Sequence, residues 1–429
     1  MSSWYHGGVD KLIPAWYNIG EEGDEDIMMA QRVERQVIRP VHPKYKVIDE
    51  MCLKSKDLYN YANYIIRQEF INNNKYIPYR ELNRELKTHQ PYKDCMSQPA
   101  NCVLRVLDKN WKSYFVAIKD WKKNPDKYLG MPKLPGYLPK DGRFNWIIPN
   151  NTVFYKDDEI YFRIKKLQGF SWKSRCLGRL IQIRFVPKNN NYIMEVVYEI
   201  EVEDTLDQSS RIIAIDLGVD NLATVTNNIG ERPFIINGRP IKSVNQYYNK
   251  YLAEEKSRLK KINGKDWSRK LDAISFKRNN RITDYLHKAS AYIIKWCLIH
   301  EVDTIVIGLN KKWKQEANIG RINNQKFIMI PYEKFIQQLE YKCQTNGIIF
   351  KATDEAYTSG TSNLDDEKPI KENYNNKRRI ERGLFQANDT LINADVNGSL
   401  QIMRKVFPNF YTGYGIEVDL TPYVVDLST

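Results

Sequence analysis

The spacing of apolar residues changes twice along this chain. In "VIDEMCLKSKDLYNYANYIIRQEFI" (47–71) and "QPANCVLRVLDKNWKSYFVAIKDW" (98–121) they recur every three or four positions. That is the period of amphipathic helices, so residues 46–124 read as mainly helical. The Pro/Gly-rich connector "MPKLPGYLPKDGR" (131–143) ends this pattern. "FNWIIPN", "DEIYFRI", "RLIQIRFVP" and "YIMEVVYEIE" then read as short strands separated by turn signals. With an isolated strand at "QVIRPV" (36–41), they predict a small β-barrel over 31–45 and 125–205, interrupted by the helical insertion. Residues 1–30, with the acidic run "GEEGDED", read as a tail.

Near residue 206 the period changes again. "RIIAIDLGVDNLATVTNN" reads as strand, tight turn, strand, and a long basic helical region follows. The strand "DTIVIGLN" (303–310), a helix near 332–345, the strand "GIIFKATDE" and a helix in "LINADVNGSLQIMRK" complete the order. Strands alternating with helices predict an α/β layer over 206–358 and 382–406. A polar insert at 359–381 interrupts it and a tail at 407–429 follows. The fold class is multidomain α+β.

Composition adds a partner. Across 429 residues the net charge is +14, which favours a polyanion, and nucleic acid is the commonest. The 28 tyrosines interleaved with Lys and Arg suit base stacking beside phosphate contact. No apolar run is long enough to span a membrane, and no signal-peptide pattern opens the chain. Six cysteines are scattered without a CxxC pair, so an intracellular protein with reduced thiols and no zinc ribbon is expected. The five histidines form no ligand cluster.

Two acids carry the candidate chemistry. Asp216 ends the apolar strand "IIAIDLG", where it is presented by a fixed backbone. Asp395 opens a helix behind Asn393, a natural N-cap. Each alone is as easily a turn or capping residue. Phosphodiester hydrolysis by two divalent ions needs several acidic oxygens around the metals.

The segments "IIAIDLGVDNLATV", "IVIGLNKKWKQ", "EAYTSG" and "RRIERGLFQANDTLINADVNGSLQIMRK" resemble the successive RuvC motifs of the TnpB family, the transposon-encoded RNA-guided nucleases. "QPANCVLRVLDKNWKSYF" and "PKLPGYLPKDGR" resemble its N-terminal half, so the likeness runs over about 35–405. The resemblance implies a wedge-like N-terminal barrel and an RNase H-like (RuvC) C-terminal domain. It also implies a guide RNA, a double-stranded DNA target beside a short flanking motif, two Mg²⁺ ions (with Mn²⁺ as a substitute) and a prokaryotic cytoplasmic or nucleoid setting. Monomer and dimer on one RNA both fit it. In that family the middle strand ends in Glu; here it ends in Gly308. Either the site is dead, or the acid has moved to Glu355, at the end of what would be the neighbouring strand. We expect Asp216, Glu355 and Asp395 to be the metal ligands, with Glu316 a lesser alternative. No zinc is expected, because 359–381 holds no cysteine.

Basic residues expected at nucleic acid are Lys133, Lys140 and Arg143 in the connector. Lys256, Arg258, Lys260, Lys261, Lys277 and Arg278 in the basic helices, and Arg382, complete the set. A solvated helix face is the plain alternative. His287 reads as a packing residue, since a metal-activated water needs no protein base. A nuclease-dead RNA-guided repressor, a compact type V CRISPR effector and a guide-independent junction resolvase are the competing functions.

Overall fold

In the computed structural model, which describes residues 28–176, 178–202, 210–309, 329–410 and 420–427, the chain divides between Glu201 and Val202 into two units. In the first, β1 (Met28–Ile38) precedes four helices: α1 (Tyr45–Asn73), α2 (Tyr79–Leu86), α3 (Gln90–Asp94) and α4 (Ser97–Lys123). Leu58, Ile66, Leu104 and Trp111 bury the apolar stripes of α1 and α4 in one cluster. Each fully buried side chain of this size contributes about 1.5–3 kcal/mol. The strands β2 (Trp146–Pro149), β3 (Val153–Lys156), β4 (Glu159–Phe162), β5 (Ser171–Lys173), β6 (Arg179–Lys188) and β7 (Asn191–Val202) follow.

Three expectations are corrected here. Among the described residues the strands form two sheets, β1-β7-β6-β2 and β3-β4-β5, not one closed ladder. Both sheets pack on a shared core that includes Trp146, Phe162 and Phe185. The first strand starts at Met28, inside the expected tail, and stops at Ile38, two residues before Pro40, which has no N–H to donate to a ladder. The connector is not a bare linker. On α1, Asn60 Nδ2 donates to the Leu138 carbonyl at 2.9 Å, and Asn63 Nδ2 and Arg67 donate to the Pro135 carbonyl.

The second unit contains β8 (Ile212–Leu217), β9 (Asn221–Asn227), β10 (Phe234–Asn237), α5 (Arg239–Asn263), α6 (Arg269–Ile299) and β11 (Thr304–Leu309). After them come α7 (Tyr332–Thr345), β12 (Ile349–Asp354), the hairpin β13 (Leu384–Gln386) and β14 (Leu391–Asn393), α8 (Ala394–Val406) and β15 (Tyr423–Val425). The main sheet has the order β12-β11-β8-β9-β10-β15. β8, β11 and β12 run parallel, while β9 is antiparallel to both its neighbours. The expected C-terminal tail therefore contributes a strand: Tyr423–Val425 pairs in parallel with β10. A three-residue strand is too short for its pattern to show, and the exposed edge of β10 recruits it.

Both faces of this sheet are covered, which is why β8 and β11 are apolar almost throughout. Ile213, Ile215, Ile305 and Ile307 point toward α6 and α7. Ile212, Ala214 and Val306 point toward α8. By the two-residue period, Asp216 and Gly308 lie on the α8 side.

Candidate active site

Three strand ends and one helix start bring the acids together. Ile307 pairs with both Ile215 and Ala352, which sets Gly308 level with Asp216 and beside Thr353. Glu355 lies two residues beyond Thr353, so it belongs to the same face, and its N–H extends the ladder to the Leu309 carbonyl at 3.3 Å. Asp395 stands in the first turn of α8. The Asn393 side chain accepts hydrogen bonds from the N–H groups of Asp395 and Val396 at 3.0 and 3.1 Å. Such a cap stabilises by about 1 kcal/mol, and the positive end of the helix dipole favours a carboxylate there.

The helix approaches the sheet closely because its facing residues suit it. A Cβ on Gly398 would lie 2.9 Å from Asp216 Oδ2. Ser399 donates to the Ala214 carbonyl and shares a hydrogen bond with Thr226. One turn on, Ile402 fills the space above Gly308: a Cβ there would meet Ile402 Cδ1 at 2.5 Å and Glu355 Cβ at 3.3 Å. A side chain at 308 would clash with Ile402 and press on Glu355. The volume above Gly308 is taken by Ile402 and by the stem of Glu355.

The electrostatics register this convergence. Burial, then the charges of Asp395 and Glu355, push the Asp216 carboxyl well above the usual carboxylate range, opposed by Arg379 and the Leu217 N–H. Burial with the charges of Asp216 and Glu355 also raises the Tyr332 phenol, which donates to the Gly218 carbonyl at 2.8 Å. Among the described residues no group of three or more His, Cys, Asp or Glu side chains closes into a metal-ligating cluster. Asp395 instead accepts from Asn221 Nδ2 at 2.7 Å and from Arg379 at 3.5 Å. The donor chemistry nonetheless suits a hard divalent cation, because it is all oxygen and its mutual repulsion is what such a charge relieves.

A cavity of about 1100 Å³ opens beside Asp395, with Asn221, Arg239, Lys242, Arg379 and Arg382 in its wall. Asp220 pairs with Lys242 at 2.7 Å and with Arg382. Of the basic residues expected at nucleic acid, Lys133, Lys140, Lys256, Lys260, Lys261 and Lys277 are exposed. Arg258 is also exposed but holds Glu255 at 2.6 Å. Two are corrected. Arg143 grips Asp49 with two hydrogen bonds of 2.9 Å. Arg278 is turned inward onto Asn245 and the Met329 carbonyl, at 2.6 and 2.8 Å. Both are planar forks that found acceptors inside the fold. His287, expected to pack, is exposed on α6, and its carbonyl accepts from Lys342 at 3.0 Å. Glu316 lies outside the described residues.

Arg379, Lys242, Arg239 and Asn221 were not singled out by sequence. Asn221, in "GVDNLATV", and Arg379, in "RRIERGLF", lie within the quoted motif segments; Arg239 and Lys242 are ordinary surface cations until the fold gathers them. The 359–381 insert is held without cysteine by one face of α8. Asn397 donates to the Thr361 carbonyl at 2.8 Å and accepts from the Asn363 N–H at 2.9 Å. Gln401 donates to the Glu367 carbonyl at 3.0 Å, and Arg404 pairs with Asp366. Within the insert, Arg378 bridges Asp365 and Glu367 at 3.3 and 3.0 Å.

Two family models match the second half of the chain in order: OrfB_IS605, described as "Probable transposase", over residues 195–314, and "Cas12f1-like, TNB domain" over 332–402. No curated protein sequence matches. Among solved structures the chain is similar to Cas12f1 in a complex with sgRNA and target DNA, at 16% identity and a TM-score of 0.36, covering 86% of this chain and 98% of that one. It is also similar to CasPhi-2 (Cas12j) bound to crRNA and phosphorothioate-DNA, at 9% identity and a TM-score of 0.41, covering 87% and 91%. Both models match in order across the unit that carries the three acids, over the segments that resemble the TnpB motifs.

Proposed function

We propose that this protein is an RNA-guided DNA endonuclease whose second unit is an RNase H-like (RuvC) nuclease domain. The observation that carries the reading is geometric: strand register puts Asp216 and Glu355 on one face of the sheet, the face on which α8, with Asp395 in its first turn, is packed. The strand order β10-β9-β8-β11-β12, with β9 antiparallel and β11 and β12 parallel to β8, supports it. Asp216 ends the middle strand of that order, and α8 packs over its carboxylate. The guide RNA and double-stranded DNA target are proposed on the two family-model matches and the +14 charge.

Asp216, Glu355 and Asp395 would hold magnesium, which when bound acidifies an attacking water and stabilises charge on the leaving 3′ oxygen. The chain's own groups do the rest. Arg239, Lys242, Arg379 and Arg382, around the cavity beside Asp395, offer cations to the phosphates of the strand being cut. Lys242 and Arg382 are released to it as the strand displaces Asp220. Asn221 orients Asp395, and Gly308 leaves the space that Glu355 enters. Target choice falls to base pairing by the RNA, with a short flanking motif read by protein.

The test uses the protein purified with its RNA, a matched plasmid and Mg²⁺. Glu355→Gln is expected to lower the cleavage rate at least about a hundredfold, the effect of removing several kcal/mol of metal-borne stabilisation, while DNA binding is kept. Full cleavage by Glu355→Gln would refute the relocated acid. Binding without cleavage by the unaltered protein would instead favour a guided repressor. Sequencing the copurified RNA separates a transposon-end transcript from a CRISPR-derived guide.

A further inference from the structure

Beyond the carboxylates lies an aromatic pair that the reading above does not use. Tyr357 is the only aromatic residue, among those described, held with a left-handed backbone (φ 68°). A bulky side chain rarely adopts that conformation. Tyr357 follows Glu355 by two residues, so their Cα atoms are within about 7 Å. The turn between them is fixed by Thr358, whose N–H and hydroxyl both donate to the Glu355 carbonyl, at 3.3 and 2.8 Å. The twisted backbone directs the ring against Tyr374, with centroids 5.8 Å apart and planes at 70°.

Tyr374 is itself seated. Its ring lies on the backbone of Gly360, where a Cβ would come within 2.5–2.9 Å of three ring carbons. The Asn375 N–H donates to the Gly360 carbonyl at 2.9 Å, fixing the same joint. Five residues further on, Arg379 reaches Asp395. The pair is thus tied to the acids at both ends, through Glu355 on one side and Arg379 on the other. Two rings held this firmly would be expected to be covered, yet Tyr357 is 39% and Tyr374 43% exposed. Lys368, Lys371 and Lys377 are exposed on the same segment, with Glu372 the exposed acid among them.

We propose that Tyr357 and Tyr374 form a stacking seat for one base of an unpaired DNA strand whose phosphate lies at the acids. An exposed tyrosine face accepts any base, and the flanking lysines suit the backbone. A strand held by its base as well as by its phosphates cannot slide along the basic cavity wall. The proposal deepens the nuclease reading but rests on it only for the reason the seat exists, so its test omits catalysis.

The full chain with its copurified RNA is titrated, in chelator, with a fluorescent oligothymidine and with an abasic strand of equal length and charge. The unaltered protein is expected to prefer the thymidine strand by roughly tenfold. Tyr357→Ala and Tyr374→Ala should each cut that preference by at least about threefold, with affinity for the abasic strand unchanged. Tyr357→Phe keeps the ring and should keep the preference, which separates loss of stacking from loss of fold. Alanine variants that retain the full preference, or an unaltered protein that shows none, would overturn the proposal. If the preference behaves as expected but no DNA is cut when Mg²⁺ is added, the seat stands and the nuclease reading fails.

Discussion

The two units use half-buried charge in opposite ways. In the first, Asp49 is surrounded by donors: Arg143 through two bonds, and the Tyr192 hydroxyl at 2.6 Å. Burial opposes its ionisation, but the Arg143 and Tyr192 hydrogen bonds and the Arg143 charge outweigh that and hold its pKa below the usual value. In the second, Asp216 is half-buried near two further carboxyl groups and is driven the other way. One arrangement contributes stability and the other costs it. A fold keeps carboxyl groups at mutual cost where something else is gained.

The comparison can be broken first at Asp49. Asp49→Ala leaves Arg143 and Tyr192 half-satisfied and should destabilise the first unit by about 2 kcal/mol. The Asp49 pKa is lower in the folded chain than the ordinary aspartate value of 3.8. Its stabilisation is therefore present above that pH and lost as pH falls through the folded value. Calorimetry across acid pH checks both points; an unshifted transition would show that the pair is decorative. Next is Gly308→Ala, which forces Ile402 and Glu355 to yield and should cost about 1–2 kcal/mol. Unchanged stability together with unchanged cleavage would mean that the space above Gly308 is slack. The smallest effect has the opposite sign. Asp216→Asn removes a group whose folded pKa is raised, so its cost is absent below 3.8 and grows as pH climbs through the folded value. In chelator at neutral pH this variant should melt about 2–4 °C higher, as a gain near 1 kcal/mol gives, and should lose the stabilisation that Mg²⁺ confers on the unaltered protein. A lower melting temperature would place Asp216 among the structural acids after all.

The helical insertion between strands, the alternation of strands and helices after residue 210, and the Asn393-capped helix were legible because each is a local pattern of period or capping. So were the positions of Asp216 and Asp395, fixed by an apolar strand and a helix start. The two sheets of the first unit were not, since alternation gives strands but not their partners. Arg143 and Arg278 were read as free cations because sequence holds no record of acceptors 94 and 33 residues away.

Sequence by itself determined which residues end the strands, that Gly308 has no carboxyl to offer, and that the chain carries surplus positive charge. Only the tertiary structure decided that Ile402 occupies the space above Gly308, that Glu355 shares a face with Asp216, and that Asn397, Gln401 and Arg404 do the holding where no cysteine is available. The reason is geometric: period and propensity act over a few residues, whereas strand register and helix docking set distances between side chains far apart in the chain.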